Sequence, residues 1–203
     1  MNLYELATLD TVIFGAGKAA PGIEAWIGAG KGRLCGAWGT DIGTLNRIFL
    51  LRAFDDMAQM MEERERALRS DNPFGCVDQL LALNMESYRA LDFLPPVEAG
   101  NFGPVYEFRT YRTKINGLTP TMEKWASAVP PREAYSKLTV AMYGLDGAPR
   151  LTQIWPYESL AARSGARAKS VADGIWPPKG GPDWLSADMT SQIAMPLPFS
   201  PLK

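Results

Sequence analysis

The feature that most constrains the fold of this 203-residue chain is an internal repeat. Three short segments recur in the same order, each roughly a hundred residues further along the chain: residues 3–6 with 105–108, 48–54 with 151–157, and 94–97 with 199–202. Residues 98–104 have the small, turn-forming composition of a linker. We therefore predict two copies of one unit, residues 1–97 and 105–203, joined by the linker 98–104.

Each copy passes from strand-like to helix-like periodicity in the same order. Residues 105–112 alternate between two faces, as a strand does, and Thr119 with Pro120 then suggests the N-cap and first turn of a helix. Pro21 is expected to play the same part in the first copy. Two strands joined by a glycine-containing hairpin follow, then a second helix and a last strand. The order β-α-β-β-α-β is the ferredoxin-like pattern.

The second helix is clearest in the first copy, where Asp55 or Asp56 is the expected N-cap. Its inward stripe is predicted from helical spacing at Met57, Met60, Met61, Arg64 and Leu68. The charged run 62–66 is interpreted as the hydrated side of the same helix.

A single unit of this kind leaves one face of its four-stranded sheet bare. Two copies in one chain can cover each other's bare faces. We therefore predict the α+β class, with two ferredoxin-like repeats forming an intramolecular α+β barrel and four helices outside. Free sheet edges can still pair with a second chain, so both a monomer and a homodimer are open.

The absence of histidine removes several kinds of site at once. It excludes Ser-His-Asp and Cys-His nucleophiles, His-based metal sites and a His-ligated haem. We expect no metal and no mandatory cofactor. The net charge of −1 offers no basic stripe to nucleic acid. With two cysteines, Cys35 and Cys76, no leader-like start and no apolar span, we predict a cytoplasmic protein without a membrane span.

Four short motifs resemble those of the NIPSNAP family: Tyr-Glu-Phe-Arg-Thr-Tyr at 106–111, Gly-Thr-Leu-Asn at 43–46, Ile-Trp-Pro-Tyr-Glu-Ser-Leu at 154–160 with Arg163 and Arg167, and Phe-Ser-Pro at 199–201. The resemblance implies the dimeric α+β barrel fold, in a family mostly without an assigned activity. It places the family near cofactor-free monooxygenases and haem-handling enzymes. The first copy has Leu-Ala-Thr-Leu at 6–9 instead of the strand motif, and the second has Pro149 instead of the turn asparagine. At most one composite site is therefore expected.

Glu107 and Arg109 are the first candidate site residues, because two positions on one strand face point the same way. On an outward face they form a surface ion pair; facing an interior they form an anion or acid/base site. Tyr106 belongs to the same motif. The surface interpretation is the favoured one.

The other candidates lie at the hairpin of the first copy and, in the second copy, on the strand 151–157 and on the second helix. Trp38, Asp41 and Asn46 surround the first hairpin. The favoured interpretation is that Asn46 ties the turn and Trp38 fills the core; the alternative is that both lie near a small aromatic ligand. Arg163 and Arg167 share a helix face; they either clamp a carboxylate or phosphate, or they meet solvent or bond nearby carbonyls. Trp155 either packs between sheet and helix or contacts a ligand.

Two classes of function remain open. The leading hypothesis is a protein that binds a small, partly apolar ligand, or a partner, through the barrel. The alternative is a cofactor-independent enzyme, a monooxygenase or an isomerase, acting on a small aromatic or carbonyl compound. The Pro/Gly-rich excursion at 176–184 has no evident counterpart in the first copy and is interpreted as a lid, a partner contact or ordinary variation.

Overall fold

The strands of the chain close into an eight-stranded barrel with four helices. The structure is a computed structural model and describes residues 2–203, apart from the side chain of Pro182. The elements in chain order are β1 (Leu3–Thr11), α1 (Gly15–Gly28), β2 (Arg33–Ile42), β3 (Arg47–Phe54), α2 (Met57–Leu68), β4 (Leu80–Ala90), β5 (Val105–Thr113), α3 (Leu118–Arg132), β6 (Val140–Gly144), β7 (Arg150–Tyr157), α4 (Leu160–Ala172) and β8 (Leu185–Pro196). The predicted β-α-β-β-α-β order is confirmed in both halves.

The barrel order β1-β3-β2-β8-β5-β7-β6-β4 shows how the two halves meet. Each half supplies four neighbouring antiparallel strands, and the halves join at two antiparallel seams, β2 with β8 and β4 with β6. The predicted intramolecular α+β barrel is therefore confirmed. The seams are short: β8 pairs with β2 only over residues 193–196, and β4 pairs with β6 only over residues 88–90. Pairing of a remaining strand edge with a second chain, and so the choice between monomer and homodimer, stays a prediction.

Because side chains alternate between the two faces of each strand, the barrel has one core inside it and two outer cores between the sheet and the helices. On β1 and β5, Tyr4 and Tyr106 point into the barrel, whereas Glu5 and Glu107 point outward beneath the helices. The inner core contains residues from both halves. The sheet of the first half packs on α1, and that of the second half packs on α3.

One end of the barrel interior is plugged by the segments that follow the last strand of each half. Val97 and Leu202 belong to the inner core, and the amide of Val97 donates a hydrogen bond of 3.0 Å to the Tyr4 hydroxyl. Gly100 pairs with Leu202 in an isolated bridge. The predicted linker 98–104 thus packs against the C-terminal residues.

The first helices begin earlier than the prolines suggested. Pro21 lies inside α1, not in its first turn, because α1 already begins at Gly15, after the left-handed Phe14 (φ 57°). Pro21 is exposed, so the carbonyl that loses its amide partner can meet water instead. In α3 the residue before the helix is Gly117, and Thr119 provides no cap.

The buried face of α2 differs from the predicted stripe. Asp56, one of the two expected caps, does accept a hydrogen bond of 2.8 Å from the amide of Gln59. The buried residues are Met60, Glu63 and Ala67, whereas Met57, Met61 and Leu68 are exposed. Glu63 turns inward because the buried guanidinium of Arg52 lies beneath it, so the hydrated side assigned to 62–66 is wrong for this residue.

Candidate functional site

Trp38 and Tyr106 lie together inside the barrel, closed off from solvent. Both are fully buried, and their ring centroids are 5.3 Å apart. Burial raises the pKa of Tyr106, and neither its hydroxyl nor the Trp38 Nε1 finds a hydrogen-bond partner among the described residues. These two candidates form part of the inner core and are not open to a ligand from outside.

Asn46 ties two loops together at some remove from this core. It takes a left-handed conformation (φ 55°) at the β2–β3 turn, and its Oδ1 accepts a 3.4 Å hydrogen bond from the amide of Phe14. Its backbone oxygen accepts hydrogen bonds from the amide and hydroxyl of Thr11. Asn46 therefore joins the hairpin to the β1–α1 loop and does not meet Trp38.

Glu107, Arg109 and Arg163 do come together, on the outer face of the second half beneath α4. Oε1 of Glu107 accepts hydrogen bonds from Arg109 and Arg163, both at 2.5 Å, and from the Ser191 hydroxyl at 2.8 Å. Arg167 lies 3.6 Å from the other carboxylate oxygen. We call these five residues the Glu107 cluster. The sequence predicts Glu107 to be either exposed on the outward face or buried in the interior. In the structure it points outward from the barrel and is nevertheless buried, because α4 covers it.

The charges of the cluster keep Glu107 ionised at nearly any pH. Burial is the largest influence and alone raises its pKa, but the hydrogen bond from Arg163 and the charge of Arg109 outweigh it, so the pKa falls to about 2. Three guanidinium groups surround one carboxylate. The cluster therefore has a surplus of positive charge, and the guanidinium side chains are 16–35% exposed.

The first half has a corresponding cluster that the sequence interpretation missed. Glu5, at the position on β1 that corresponds to Glu107 on β5, accepts hydrogen bonds from Arg52 at 2.6 Å and from Arg64 at 2.9 Å. A second carboxylate, Glu63, contacts Arg52 at 3.1 Å and brings the charges closer to balance. The alignment of Glu5 with Glu107 was the signal that could have revealed it.

A cavity of about 160 Å³ lies near the Glu107 cluster, between β5, β8 and α3. We call it the tryptophan slot; its lining residues are Tyr111, Thr121, Lys124, Trp125, Trp176, Pro177, Pro178, Gly181, Leu185 and Met189. The ring of Trp176 packs edge-on against Trp125 (5.0 Å) and Trp155 (6.1 Å). Trp155 thus supports the slot from behind, with its Nε1 bonded to Gln153 at 2.6 Å.

Tyr111 connects the tryptophan slot to the Glu107 cluster. Its hydroxyl accepts a 2.6 Å hydrogen bond from Nε of Arg109, and Arg109 in turn donates to Glu107. The tyrosine hydroxyl keeps its own proton to donate. The slot therefore has mostly apolar walls, and Tyr111 adds a hydrogen-bond donor that is backed by the positively charged Arg109.

The segment that carries Trp176 does have a counterpart in the first half, contrary to the sequence interpretation. Short 3₁₀ turns lie between the second helix and the last strand in both halves, at Pro73–Gly75 and Gly181–Trp184. Phe74 is fully buried; its ring centroid lies 6.0 Å from that of Trp26 and 5.4 Å from Cζ of Arg52. It therefore contacts the first-half equivalents of Trp125 and Trp155, the two residues that Trp176 packs against. In the first half the aromatic ring thus lies deeper in the sheet–helix space.

Residues 2–203 contain neither a cluster of metal-ligating side chains nor a membrane-spanning helix. No three His, Cys, Asp or Glu side chains in this range are grouped so as to hold a metal ion. No helix in it has both the length and the apolar content needed to cross a membrane.

Comparison with protein families assigns the chain. The family model described as NIPSNAP matches residues 4–83 and 106–201, which together cover most of the sequence. The chain belongs to the NIPSNAP family. Each matched stretch lies within one half of the barrel, so the NIPSNAP pattern is met twice.

Solved structures show the same fold over the whole length of this NIPSNAP chain. An anthrone oxidase-like protein matches with a TM-score of 0.68 and 10% identity, over 97% of this chain and 91% of the other. A candidate monooxygenase from Lactobacillus acidophilus has a TM-score of 0.68 and 10% identity, over 97% and 94%. Another, from Fusobacterium nucleatum, has 0.63 and 12%, over 96% and 92%. No curated protein matches the sequence.

The NIPSNAP strand motif at 106–111 supplies both the Glu107 cluster and Tyr111 of the slot. Tyr111 was part of the motif but was not singled out as a site residue. Trp125, Trp176 and Met189 were missed as lining residues, since each comes from a different element. The closest sequence signal was the tryptophan at the start of the 176–184 excursion.

Proposed function

We propose that this NIPSNAP protein binds a small ligand with one aromatic ring and one oxygen acceptor in the tryptophan slot. The observation that supports it is Tyr111, which lines an otherwise mainly apolar cavity and whose hydroxyl accepts a hydrogen bond from Arg109. Ligand sites of this kind combine apolar walls with few polar groups that fix orientation.

The size of the slot supports a single ring. Its volume is about 160 Å³, close to that of an apolar protein cavity, roughly 150 Å³, that binds benzene. Trp125 and Trp176 offer ring contacts, and Tyr111 can donate to a ligand oxygen. Lys124 and the surplus positive charge of the Glu107 cluster favour an anionic oxygen.

p-Hydroxybenzoate is the probe for a calorimetric titration. We expect binding to the native protein, roughly tenfold weaker binding to Tyr111→Phe because one hydrogen bond is lost, and none to Met189→Trp, which fills the slot. The matched control is Met61→Trp on α2, at another exposed methionine. No heat with the native protein, or equal binding by the two tryptophan variants, would refute the proposal.

A cofactor-independent monooxygenase is the second candidate. The hydrogen bonds from Tyr111 through Arg109 to Glu107 can position a substrate oxygen, and the similar folds described as candidate monooxygenases support this chemistry. With hydroquinone, one O₂ would be consumed per ring, giving hydroxybenzoquinone and one water. Oxygen uptake above the uncatalysed rate, lost in Tyr111→Phe, is the expected result. Uptake equal to the uncatalysed rate contradicts it.

The sequence-based interpretation as two copies of one unit is also part of this proposal. It is supported by the shared element order and by the two matches to the family model. A single ligand site per chain follows, because the first half places Phe74 and Arg52 where the second has Trp176 and Trp155. For location we propose the cytoplasm, supported by the unpaired, buried thiols of Cys35 and Cys76.

A further inference from the structure

The barrel interior changes from apolar to polar along its axis, and in both halves at the same place. The inward residues of β1 are Tyr4, Leu6, Thr8 and Asp10; those of β5 are Tyr106, Phe108, Thr110 and Arg112. The apolar end is plugged by Val97 and Leu202. At the polar end lies a cavity of about 320 Å³, which we call the barrel bowl. It lies on the opposite face of the sheet from the tryptophan slot.

The floor of the barrel bowl is aromatic. The rings of Phe49 and Phe108 are stacked, with centroids 4.5 Å apart and planes 18° from parallel. Leu6 lies beside them. This apolar floor suits the C–H groups of a saturated ring.

The walls of the bowl are rich in hydroxyl and amide groups: Thr8, Asn84, Thr110, Thr152, Thr190 and Gln192. Only some of them are engaged with each other: the hydroxyls of Thr110 and Thr152 are 2.9 Å apart. Thr190 and Asn84 are exposed at the rim. Hydroxyls and amides can both donate and accept, so the walls match a ligand with several hydroxyl groups.

The charged residues of the bowl neutralise one another. Arg47 donates two hydrogen bonds to Asp10, at 2.6 and 2.9 Å, and these lower the pKa of Asp10. Arg112 lies 3.5 Å from Asp188. Glu86, also in the lining, lies 3.0 Å from Arg150. An ion therefore finds no unpaired partner charge here, and a neutral ligand is favoured.

We propose that the barrel bowl binds a neutral polyhydroxylated ring, of the size of one monosaccharide or cyclitol. The volume lies at the lower end of the range for small-molecule pockets, roughly 300–1,000 Å³. The phenylalanine floor contacts the C–H groups of the ring, and the threonine, asparagine and glutamine side chains contact the hydroxyl groups. This inference is independent of the tryptophan slot and of any reaction there.

Saturation-transfer NMR on the whole protein tests the inference, with methyl α-D-glucopyranoside and myo-inositol as separate probes. We expect transfer to the ring protons of at least one probe, and the stronger signal distinguishes a sugar from a cyclitol. The variant Thr8→Val/Thr190→Val keeps the side-chain shapes but removes two hydroxyls, so it should weaken binding roughly tenfold or more. Circular dichroism confirms that the variant is folded.

Thr119→Val, at an exposed position on α3, is the matched control and should bind like the native protein. If neither probe receives saturation from the protein at concentrations on the order of 10 mM, the inference is overturned. Equal affinity of the double variant and the Thr119→Val control would overturn it as well. The result of this test does not depend on whether p-hydroxybenzoate binds in the tryptophan slot.

Discussion

At the residue scale, one buried glutamate in each half holds the second helix against the sheet. Glu5 on β1 is bonded to Arg64 on α2, and Glu107 on β5 is bonded to Arg163 on α4. A buried carboxylate is stable only with such partners, and losing one side of the pair costs far more than the pair contributes net. Each glutamate therefore links the second helix of its half to the sheet.

Replacing Glu107 by glutamine should destabilise the protein at neutral pH. The change leaves three guanidinium groups without their anion, at a cost of about 2–3 kcal/mol, below the value for fully buried pairs because the arginines keep some water. Urea denaturation at pH 7 measures the difference, with the exposed Glu123→Gln on α3 as control. Equal stability of the two variants would contradict this role.

The same variant has a defined pH dependence. Because the pKa of Glu107 is lowered from 4.5 to about 2 on folding, its stabilisation is complete above pH 4.5 and is lost as the pH falls towards 2. The gap in unfolding free energy between native protein and Glu107→Gln should therefore shrink across this window. A gap that stays constant from pH 6 to pH 2.5 would rule out the assigned pKa.

At the scale of elements, the second helix of each half begins with a true side-chain cap. Asp56 accepts from the amide of Gln59 at 2.8 Å, and Ser159 accepts from that of Ala162 at 3.0 Å. The first helices have no such side-chain cap. The starts of α2 and α4 are thus specified locally, whereas those of α1 and α3 depend on packing.

Asp56→Ala should lower the unfolding free energy by about 1 kcal/mol, the usual value of an N-cap hydrogen bond. Asp55→Ala, one residue earlier and equally exposed, should change it by less than about 0.5 kcal/mol. Thermal and urea denaturation of the two alanine variants provide the comparison. If the larger loss fell on Asp55, the cap would be wrongly assigned.

Local periodicity was enough to predict the element order, because alternation and helical spacing are properties of short segments. Helix boundaries and buried faces were harder. Pro21 fits a first turn but lies within α1, and Glu63 looks hydrated until Arg52 is placed beneath it by the fold. Such contacts join residues that are far apart in the sequence, so the spacing of residues within one helix cannot predict them.

Only the part of the candidate site that lies within one strand was predictable from the sequence. Glu107 and Arg109 are neighbours on one strand, so their shared face followed from the sequence. Their contact with Arg163 did not, because Arg163 lies on a helix 56 residues further along the chain. Trp176 lies in a loop whose position depends on packing against Trp125, 51 residues earlier in the chain. The slot therefore required the three-dimensional arrangement.

At the scale of the whole molecule, the two halves share one interior. Leu51 on β3 and Ile154 on β7 are equivalent positions, both fully buried in the same inner core. The seams between β2 and β8 and between β4 and β6 close the barrel only when both halves are folded. Neither half retains a covered inner sheet face without the other, so the chain should unfold in one step.

Leu51→Ala and Ile154→Ala should each cost about 2–5 kcal/mol, the range for large-to-small changes in a core. Both should shift a single unfolding transition, because either change weakens the common interior. Far-UV circular dichroism and tryptophan fluorescence, with tryptophans in both halves, report that transition. Two separated transitions in either variant would show that the halves fold independently.

The different residues at equivalent positions of the two halves have a consequence for how such a protein can change over time. In an assembly of two identical chains, every substitution appears twice, so a helpful change at one pocket is coupled to whatever harm it does at the other. Here Arg52 and Trp155 occupy matching places on β3 and β7 but are encoded separately. One half can therefore keep a salt-bridged, rigid packing while selection alters the ligand preference of the other.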